Sequence, residues 1–565
     1  MSAATVGFAR EALLSGDAAT AVGSLRSLPT RGHEANYWLA SALIAQGEHA
    51  KAAEVMDAAR TAHALELAAS MQADLSKLKA DGDYAAAVAS QLYRANHVAA
   101  ASAVFGLAVA AGHASQAGLL TYGLSLQHQG RAEEAITVFR AAAQAYPSAG
   151  AHQFLLYPHF MVENGPARYA AEARAWAQIY APAQVGDVDL PRRPLAGRKL
   201  RIGYVSPSFA RTQIHQFIAP VLETHDRNAV EVFLYPATAE GEDVWPAPTA
   251  IRPIGHLADA DAVALIRADE IDVLADCWGH SAGSRLPLFG QRCAPVQVAW
   301  INFVQTTGLA QMDYVLHAGP QQGPSCDPLF AERIWPIGPI FNPFRPAANR
   351  PATGATPALT SGQVTFGSFN HPCKLTDETL AAWARILQAR PAARLLLKYA
   401  YFVDPVLQRV TRARFAAGGV APERIVFEGR SEGAEYMAAF SRVDLALDPS
   451  PAPGSTTTLE ALSHGVPVLS LAPPTGAPAH NYSRCLALAV DAPELLTDTW
   501  DDYVRRALDL TADAAALDRL RARVRAGFDQ GPLRQEAAFT QRIEGAFAAM
   551  FELWAQGAGQ SRSAA

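Results

Sequence analysis

Residues 444–474 read DLALDPSPAPGSTTTLEALSHGVPVLSLAPP, and this stretch decides which fold the second part of the chain adopts. An apolar run ends at Asp448, a Pro-rich loop follows, and Gly454 precedes a helical pattern that leads into a second β-rich run at 467–472. A strand, a helix and a further strand in this order predict a parallel sheet. The unpaired N–H groups and the dipole at the start of such a helix favour the binding of an anion.

Similar β-rich runs alternate with helical patterns on both sides of a stretch rich in Pro, Gly and Thr at 349–362. The runs before it are KLRIGYVS (199–206), VEVFLYP (230–236), IDVLADC (271–277) and VQVAW (296–300). The runs after it are VTFGSF (364–369), RLLLKY (394–399), RIVFEG (424–429), DLALD (444–448) and PVLSLA (467–472). Two such series predict two doubly wound, Rossmann-like halves.

The chain before residue 195 is rich in Ala and shows helical periodicity. Residue types recur at a spacing of about 34 residues, the period of a tetratricopeptide helix pair, as Ala101, Phe105, Ala108 and Ala135, Phe139, Ala142. Small Ala residues let two helices approach closely, and the Phe fills the gap between neighbouring pairs. The clearest repeat extends from Gln116 to Ala149, with its turn at Gly130. Stacked pairs form a superhelix whose concave face suits extended peptides.

Composition excludes several classes of protein. The chain has 565 residues and a net charge of -6, which argues against sequence-independent binding of nucleic acids. Its 5 cysteines are scattered without a CxxC pair, so we expect neither a disulfide framework nor a structural zinc site. The sequence has no signal-peptide pattern and no apolar stretch of about 20 residues. These features predict a cytoplasmic protein that binds neither nucleic acid nor membrane.

The segment Glu460–Val468 places an acidic residue, a Gly and Pro-Val in order at the entry to a strand. It resembles the nucleotide-sugar segment of two-lobed (GT-B type) glycosyltransferases. Within that class the chain resembles the protein O-linked N-acetylglucosamine transferases, in particular a compact bacterial member without the long insertion between the lobes that animal members have. The shared segments are RIGYVSPSF (201–209), RCAPVQVAW (292–300), Gly308 with MDY (312–314), FNHPCK (369–374) and STTTLE (455–460).

This resemblance implies an N-terminal α-superhelix of tetratricopeptide-like repeats followed by a two-lobed α/β glycosyltransferase domain of GT-B type with twin Rossmann-like lobes. The expected parts are the repeats at 1–181, a linker at 182–198, the N-terminal catalytic lobe at 199–348, an inter-lobe linker at 349–362, the UDP-binding C-terminal lobe at 363–499, and helices that cross back, with a tail, at 500–565.

The resemblance also implies two catalytic residues. Lys374 matches the family lysine that holds the β-phosphate of the donor, where its ammonium stabilises the charge that grows on the departing UDP. His215 matches a family histidine suggested as the catalytic base. Asp269 and the donor's own phosphate are alternatives for that base.

For UDP, the resemblance assigns the diphosphate to Thr456 and Thr457, the ribose to Glu460 and the uracil to Ser431. Gly454 allows the backbone to approach the phosphates closely. Two further positions depart from the family. Ser455 stands where a His is common, which removes a ring contact with uracil and leaves the anion site intact. His371 replaces a Gln, and we expect it to donate to phosphate.

The function implied is that of an inverting, metal-independent glycosyltransferase that moves N-acetylglucosamine from UDP-GlcNAc to Ser or Thr hydroxyls of proteins. No cofactor is expected, and the acceptor protein or peptide would bind along the repeat groove. The alternative is the same fold with a different UDP-sugar or with a glycan as acceptor.

Two other motifs suggest different chemistry. Residues 279–283 read G-x-S-x-G after a strand, as in the nucleophile elbow of α/β-hydrolases, with Ser281 as nucleophile and Asp448 with His464 or His480 as partners. Pro287 comes early for the long helix that such an elbow needs, so the hydrolase is a remote alternative. The D-x-D motifs at 187–189 and 259–261 fall in the linker and in a helical stretch, and we assign neither to a metal.

Overall fold

The structure is a computed structural model that describes residues 2–182, 190, 194–210, 214–238, 244–302, 304–319, 327–352, 354–474, 477–478 and 481–557. The D-x-D motif at 187–189, most of the expected linker around it, and His480 lie outside the described residues.

The first part of the chain is helical, as the Ala-rich periodicity predicts. Its helices are α1 (Ser2–Leu14), α2 (Ala18–Arg26), α3 (His33–Ala45), α4 (His49–Ser70), α5 (Leu75–Ala80), α6 (Gly82–Arg94), α7 (Val98–Ala110), α8 (Gln116–Gln127), α9 (Ala132–Ala145), α10 (Ala149–Gln153) and α11 (Gly165–Tyr180). Consecutive helices pack as pairs, α1 with α2, α3 with α4, α6 with α7 and α8 with α9.

The spacing of Ala and Phe has the expected packing role. The two recurring triplets, Ala101, Phe105, Ala108 and Ala135, Phe139, Ala142, are completely buried. Phe139 lies so close to α8 that a Cβ at Gly123 would be 2.4 Å from its ring. The regular spacing is interrupted after the second pair, because α4 is 22 residues long and the short α5 follows it before the next pair. No element of the sequence pattern predicts this interruption.

The second part alternates strands and helices. Up to residue 336 its elements are β1 (Leu200–Ser206), α12 (His215–Thr224), β2 (Val230–Pro236), β3 (Thr249–Ile251), α13 (Asp259–Ala268), β4 (Val273–Asp276), β5 (Val296–Ala299), β6 (Tyr314–His317) and β7 (Arg333–Pro336). From residue 358 they are α14 (Ala358–Ser361), β8 (Thr365–Ser368), α15 (Asp377–Ala389), β9 (Arg394–Lys398), α16 (Pro405–Ala417), β10 (Ile425–Glu428), α17 (Gly433–Phe440), β11 (Leu445–Leu447), α18 (Thr456–Ser463), β12 (Val468–Leu471), α19 (Tyr482–Ala489), β13 (Leu496–Thr497), α20 (Trp500–Leu510), α21 (Ala514–Gln530) and α22 (Glu536–Ala555).

The chain forms two compact units that each combine distant segments. The first contains Met1–Pro147, Arg350–Leu471 and Glu494–Ala522, and the second contains Ser148–Asn349, Ala472–Pro493 and Arg523–Ala565. The first unit therefore joins most of the helical repeats to one of the two sheets.

In the first unit, parallel strands pair in the order β10-β9-β8-β11-β12-β13. In the second unit, parallel strands pair in the order β3-β2-β1-β4-β5-β6-β7, and α22 packs against α12. The prediction of a helical repeat part followed by two parallel α/β lobes of GT-B type is confirmed. Among the described residues, no helix combines the length and the apolar character that a membrane span requires.

Candidate functional site

The candidate site lies at the carboxyl ends of β8 and β11, the neighbouring strands between which the strand order of the first unit reverses. Ligands of open α/β sheets bind at such reversals, because the loops from the two strands diverge there. The loop after β8 carries Asn370, His371 and Lys374, and the loop after β11 carries Asp448 and Gly454. The topology thus brings together two segments that lie far apart in the sequence.

Asp448 holds the loop that leads to α18. Its side chain is fully buried, one carboxylate oxygen accepts from the Gly454 N–H at 2.6 Å, and the other accepts from the Ser470 hydroxyl at 3.0 Å. Burial raises the pKa of Asp448 to about 6, although the Gly454 N–H and the Lys374 ammonium act in the opposite direction. Asp448 was not predicted as part of this site. The signal that points to it is a carboxylate directly after a buried strand and before a Gly-containing loop.

Gly454 leaves no space for a side chain. A Cβ at this position would lie 2.2 Å from Thr458 Oγ1, 2.9 Å from Thr457 Oγ1 and 3.0 Å from Asp448 Oδ1. α18 begins two residues later, and the N–H groups of its first turn have no acceptor within the helix. Close backbone approach, free donors and the positive end of the helix dipole together make this loop suitable for an anion.

The hydroxyl groups at the start of α18 differ in their partners. Thr457 Oγ1 donates to Asn370 Oδ1 at 3.3 Å. Ser455 is exposed and makes no capping hydrogen bond, and Thr456 is half-buried at the first helical position. The hydroxyl of Thr458 is buried and has no hydrogen-bond partner among the described residues. Because buried polar atoms normally have partners, Thr458 is a candidate ligand contact that the sequence did not suggest.

Lys374 ends a 3-10 helix, Pro372–Lys374, and its side chain reaches the loop before α18. Its Nζ donates to the Pro453 carbonyl at 2.7 Å and to Asn370 Oδ1 at 3.5 Å. Burial lowers the pKa of the Lys374 ammonium, and the nearby Cys373 and Asp448 oppose this shift. A cation beside the positive end of a helix is repelled unless an anion lies between them. This arrangement therefore suits a diphosphate.

Glu460 and Ser431 both lie near α17: Glu460 contacts a residue of that helix, and Ser431 lies in the loop just before it. Tyr436 of α17 donates to Glu460 Oε2 at 2.6 Å, and burial raises the pKa of the Glu460 carboxyl. Ser431 lies in the loop between β10 and α17, and its hydroxyl is buried without a hydrogen-bond partner within the part of the chain that the structure describes. The ribose role of Glu460 and the uracil role of Ser431 stay predictions. Tyr436 was not predicted.

His371 is packed among other rings rather than presented as an isolated donor. Its Nδ1 accepts from the Cys373 N–H at 3.0 Å, and its ring lies 4.7 Å from that of Tyr399 and 5.2 Å from that of Tyr401. Burial, together with His128 and Lys374, holds the pKa of His371 well below its usual range, so the ring is neutral. A contact with phosphate through its other nitrogen stays a prediction.

His215 belongs to the second unit and is the first residue of α12. Its Nδ1 donates to the Phe209 carbonyl at 3.2 Å, and its ring lies 5.7 Å from that of Trp245. A neutral ring that donates from Nδ1 carries its lone pair on Nε2, as a general base requires. Asp269, the alternative base, caps the end of α13, accepts from the Tyr235 hydroxyl at 2.9 Å and pairs with Arg252.

The hydrolase motif lacks the geometry of a nucleophile elbow. Ser281 accepts from Asn302 Nδ2 at 2.9 Å, and the chain continues into a 3-10 helix, Leu286–Gln291, instead of a long α-helix. His464, the proposed partner, uses Nδ1 to donate to the Glu460 carbonyl at 2.8 Å. Asp259 of the second D-x-D motif lies in the first turn of α13 and pairs with Arg285.

Comparison with protein families places most of this chain in one of them. The model for glycosyl transferase family 41 matches residues 143–322 and 352–543. Among curated proteins, the chain is similar to a probable UDP-N-acetylglucosamine–peptide N-acetylglucosaminyltransferase, SPINDLY, of Hordeum vulgare, with 30% identity over 71% of this chain and 43% of that protein. The Petunia hybrida protein of the same name is 32% identical over 64% of this chain and 39% of its own length. The chain thus spans about two fifths of the length of these relatives.

Among solved structures, the chain is similar to a lysine-to-methionine mutant of the Thermobaculum terrenum O-GlcNAc transferase. The two share 28% sequence identity, the match covers 98% of each chain, and the TM-score is 0.74. This likeness extends over the helical part as well as both sheets.

Proposed function

The chain belongs to glycosyl transferase family 41, and on this premise we propose that it is an inverting, metal-independent enzyme that moves N-acetylglucosamine from UDP-GlcNAc to Ser or Thr hydroxyls of proteins. The observation that carries the proposal is the 2.7 Å contact of Lys374 Nζ with the Pro453 carbonyl, which sets an ammonium beside the start of α18. The names of the relatives, which specify UDP-N-acetylglucosamine and peptides, support this donor and this class of acceptor.

In the proposed reaction, the donor diphosphate lies at the start of α18, held by Lys374, by N–H groups after Gly454 and by the Thr456 and Thr457 hydroxyls. The acceptor oxygen attacks C1 of the sugar from the face opposite UDP. The bond from C1 to the β-phosphate oxygen breaks, its electron pair passes to UDP, and the single displacement inverts C1. Because the charge on UDP grows toward the transition state, the ammonium and the helix dipole lower the barrier more than they strengthen donor binding.

We propose that His215 accepts the proton of the acceptor hydroxyl, which the Nδ1 hydrogen bond to Phe209 supports by leaving the lone pair on Nε2. Metal independence is proposed because Lys374 and the helix dipole supply the positive charge that a divalent ion supplies in other transferases. The acceptor is proposed to bind in the groove that α6 and α8 line, which includes Ser90, Arg94 and Thr121. A cytoplasmic location also remains part of the proposal.

Calorimetry and a transfer assay test this function. UDP affinity is measured with and without EDTA, and labelled N-acetylglucosamine, glucose and galactose are offered as UDP-sugars with a library of Ser/Thr-containing peptides. We expect UDP binding to be unchanged by EDTA, and N-acetylglucosamine to reach peptide hydroxyls in the parent and about 10²-fold more slowly in Lys374→Ala. More than a tenfold loss of UDP affinity in EDTA contradicts metal independence, and preferred use of another UDP-sugar contradicts the donor assignment.

A further inference from the structure

The turn between α8 and α9 of the helical repeats lies directly against the 3-10 helix that carries Lys374. A Cβ built at Gly130 would be 3.7 Å from the Pro372 carbonyl oxygen and 3.8 Å from that of Cys373. Gly130 has a φ of 87°, in the left-handed region that favours glycine, so the turn is both sharp and close to its neighbour. All of these residues belong to the first unit.

His128, at the end of α8, extends this contact with its ring. The ring stacks on Tyr401 with centroids 4.7 Å apart and planes inclined by 18°, and it meets His371 edge-on at 4.8 Å. His371 also contacts Tyr399, so the four residues form one group of rings, which we call the ring cluster (His128, His371, Tyr399, Tyr401). Burial lowers the pKa of His128 to about 4, and the ring is therefore neutral at physiological pH.

The ring cluster is connected to Lys374 through the backbone. His371 Nδ1 accepts from the Cys373 N–H at 3.0 Å, and His371 is the residue that caps the 3-10 helix Pro372–Lys374. Rotation of the His371 ring would break this hydrogen bond at the start of the turn at whose end Lys374 lies. The ring of His371 contacts the rings of Tyr399 and Tyr401 and also that of His128, which comes from the helical repeats.

We propose that His128 is a positioning residue for Lys374: through the ring cluster, the helical repeats set the place of the ammonium that meets the donor diphosphate. This inference rests on the proposed role of Lys374 in binding UDP. It gives the repeats a function in donor binding that is separate from any contact with an acceptor. An ammonium that is already held in place needs less reorganisation when the anion binds. Such preorganisation strengthens binding of the anion.

A double-mutant cycle with UDP as the ligand tests the inference. The variants are His128→Ala, Lys374→Ala and the two combined, together with His128→Phe, which keeps a ring in the cluster. The matched control is His63→Ala, which removes a different histidine of the repeats that is stacked on His33 at 4.3 Å. UDP affinity is measured by calorimetry, the fold by far-UV circular dichroism and thermal unfolding, and turnover as UDP-GlcNAc hydrolysis without acceptor.

We expect His128→Ala to weaken UDP binding by about tenfold when Lys374 is present and by less than about twofold in the Lys374→Ala background, a coupling within the usual range for residues that act through each other. His128→Phe should recover most of the affinity, and His63→Ala should bind UDP as the parent does. Equal losses in both backgrounds, no loss at all, or the same loss in His63→Ala would overturn the inference.

The outcome is distinguishable from a failure of the proposed function. If the unmutated protein binds UDP and the expected coupling is measured, but no sugar is transferred to peptides, the proposed reaction is wrong and the inference still holds. If the unmutated protein binds UDP and transfers sugar, but positions 128 and 374 show no coupling, only the inference is wrong. A parent that does not bind UDP overturns both.

Discussion

Among single residues, Lys374 has the largest expected effect on activity, because its ammonium lies where the leaving diphosphate gains charge. Lys374→Ala should lower turnover by about 10²-fold, the scale for removing one charge-stabilising group, and should weaken UDP binding by less. Lys374→Arg should recover little, since a planar guanidinium does not place its charge where the compact ammonium lies. Turnover is compared with UDP affinity and far-UV circular dichroism. Near-parental turnover in a natively folded Lys374→Ala would show that this lysine has no catalytic role.

The buried Asp448 makes stability depend on pH. Its pKa is raised from 3.8 to about 6, so in the interval between these values the unfolded chain loses a proton that the folded chain keeps. The protonated Asp448 carboxyl therefore stabilises the folded chain fully below pH 4, and this stabilisation is lost as the pH rises through 6. The free energy of unfolding changes by ~3 kcal/mol for about two pKa units. Asp448→Asn does not titrate, so its unfolding midpoint should rise relative to that of the parent between pH 4.5 and pH 7. Midpoints that differ by a constant amount across this range would contradict the raised pKa.

At the scale of elements, the start of α18 depends on Gly454. In Gly454→Ala the new Cβ would lie 2.2 Å from Thr458 Oγ1, so the Thr458 side chain or the first turn of α18 must shift. We expect a loss of UDP affinity of tenfold or more and a cost in stability of about 1–3 kcal/mol, as for other overpacked sites. Gly545→Ala is the control, because a Cβ at this position of α22 meets no atom of the described residues within 4 Å outside the neighbouring helix backbone and should be tolerated. If Gly454→Ala binds UDP like the control, the close approach at Gly454 has no role in anion binding.

The sequence predicts elements better than it predicts the contacts between them. Alternation of β-rich runs and helical patterns predicted both parallel sheets but missed the strands β3, β6, β7 and β13. The spacing of Ala and Phe predicted the helix pairs, because this pattern reflects burial along one face of one element. The interruption at α5 could not be predicted, since no spacing marks it. The packing of His371 against His128 could not be predicted either, because the two residues are distant in sequence. Asp448 differs, because its place between a buried strand and a Gly-containing loop is visible in the sequence.

At the scale of the whole molecule, most of the helical repeats and the sheet that carries Lys374 form one compact unit, and α16 is one of the elements that join them. Val410 and Ala413 of α16 share a buried cluster with Tyr37 and Ala40 of α3. Asp404 adds a polar contact: one carboxylate oxygen accepts from the Val406 N–H of α16 at 2.9 Å, and the other accepts from the Ala99 N–H of α7 at 2.7 Å. One buried carboxylate thus caps two helices from distant parts of the chain.

This double cap predicts a large effect of Asp404→Ala on stability. The change leaves N–H groups of two helix starts unsatisfied in a buried place, and each lost cap costs about 1 kcal/mol at exposed sites and more where water cannot replace it. The matched control is Asp17→Ala, which removes the exposed cap of α2 alone, where Asp17 accepts from the Thr20 N–H at 3.0 Å. We expect Asp404→Ala to lower the thermal midpoint at least twice as much as Asp17→Ala. It should also lower UDP affinity, because the repeats then hold the ring cluster less firmly against the turn of Lys374. Equal midpoints for the two variants would mean that Asp404 acts only within α16 and that the repeats are stabilised on this sheet by apolar packing alone.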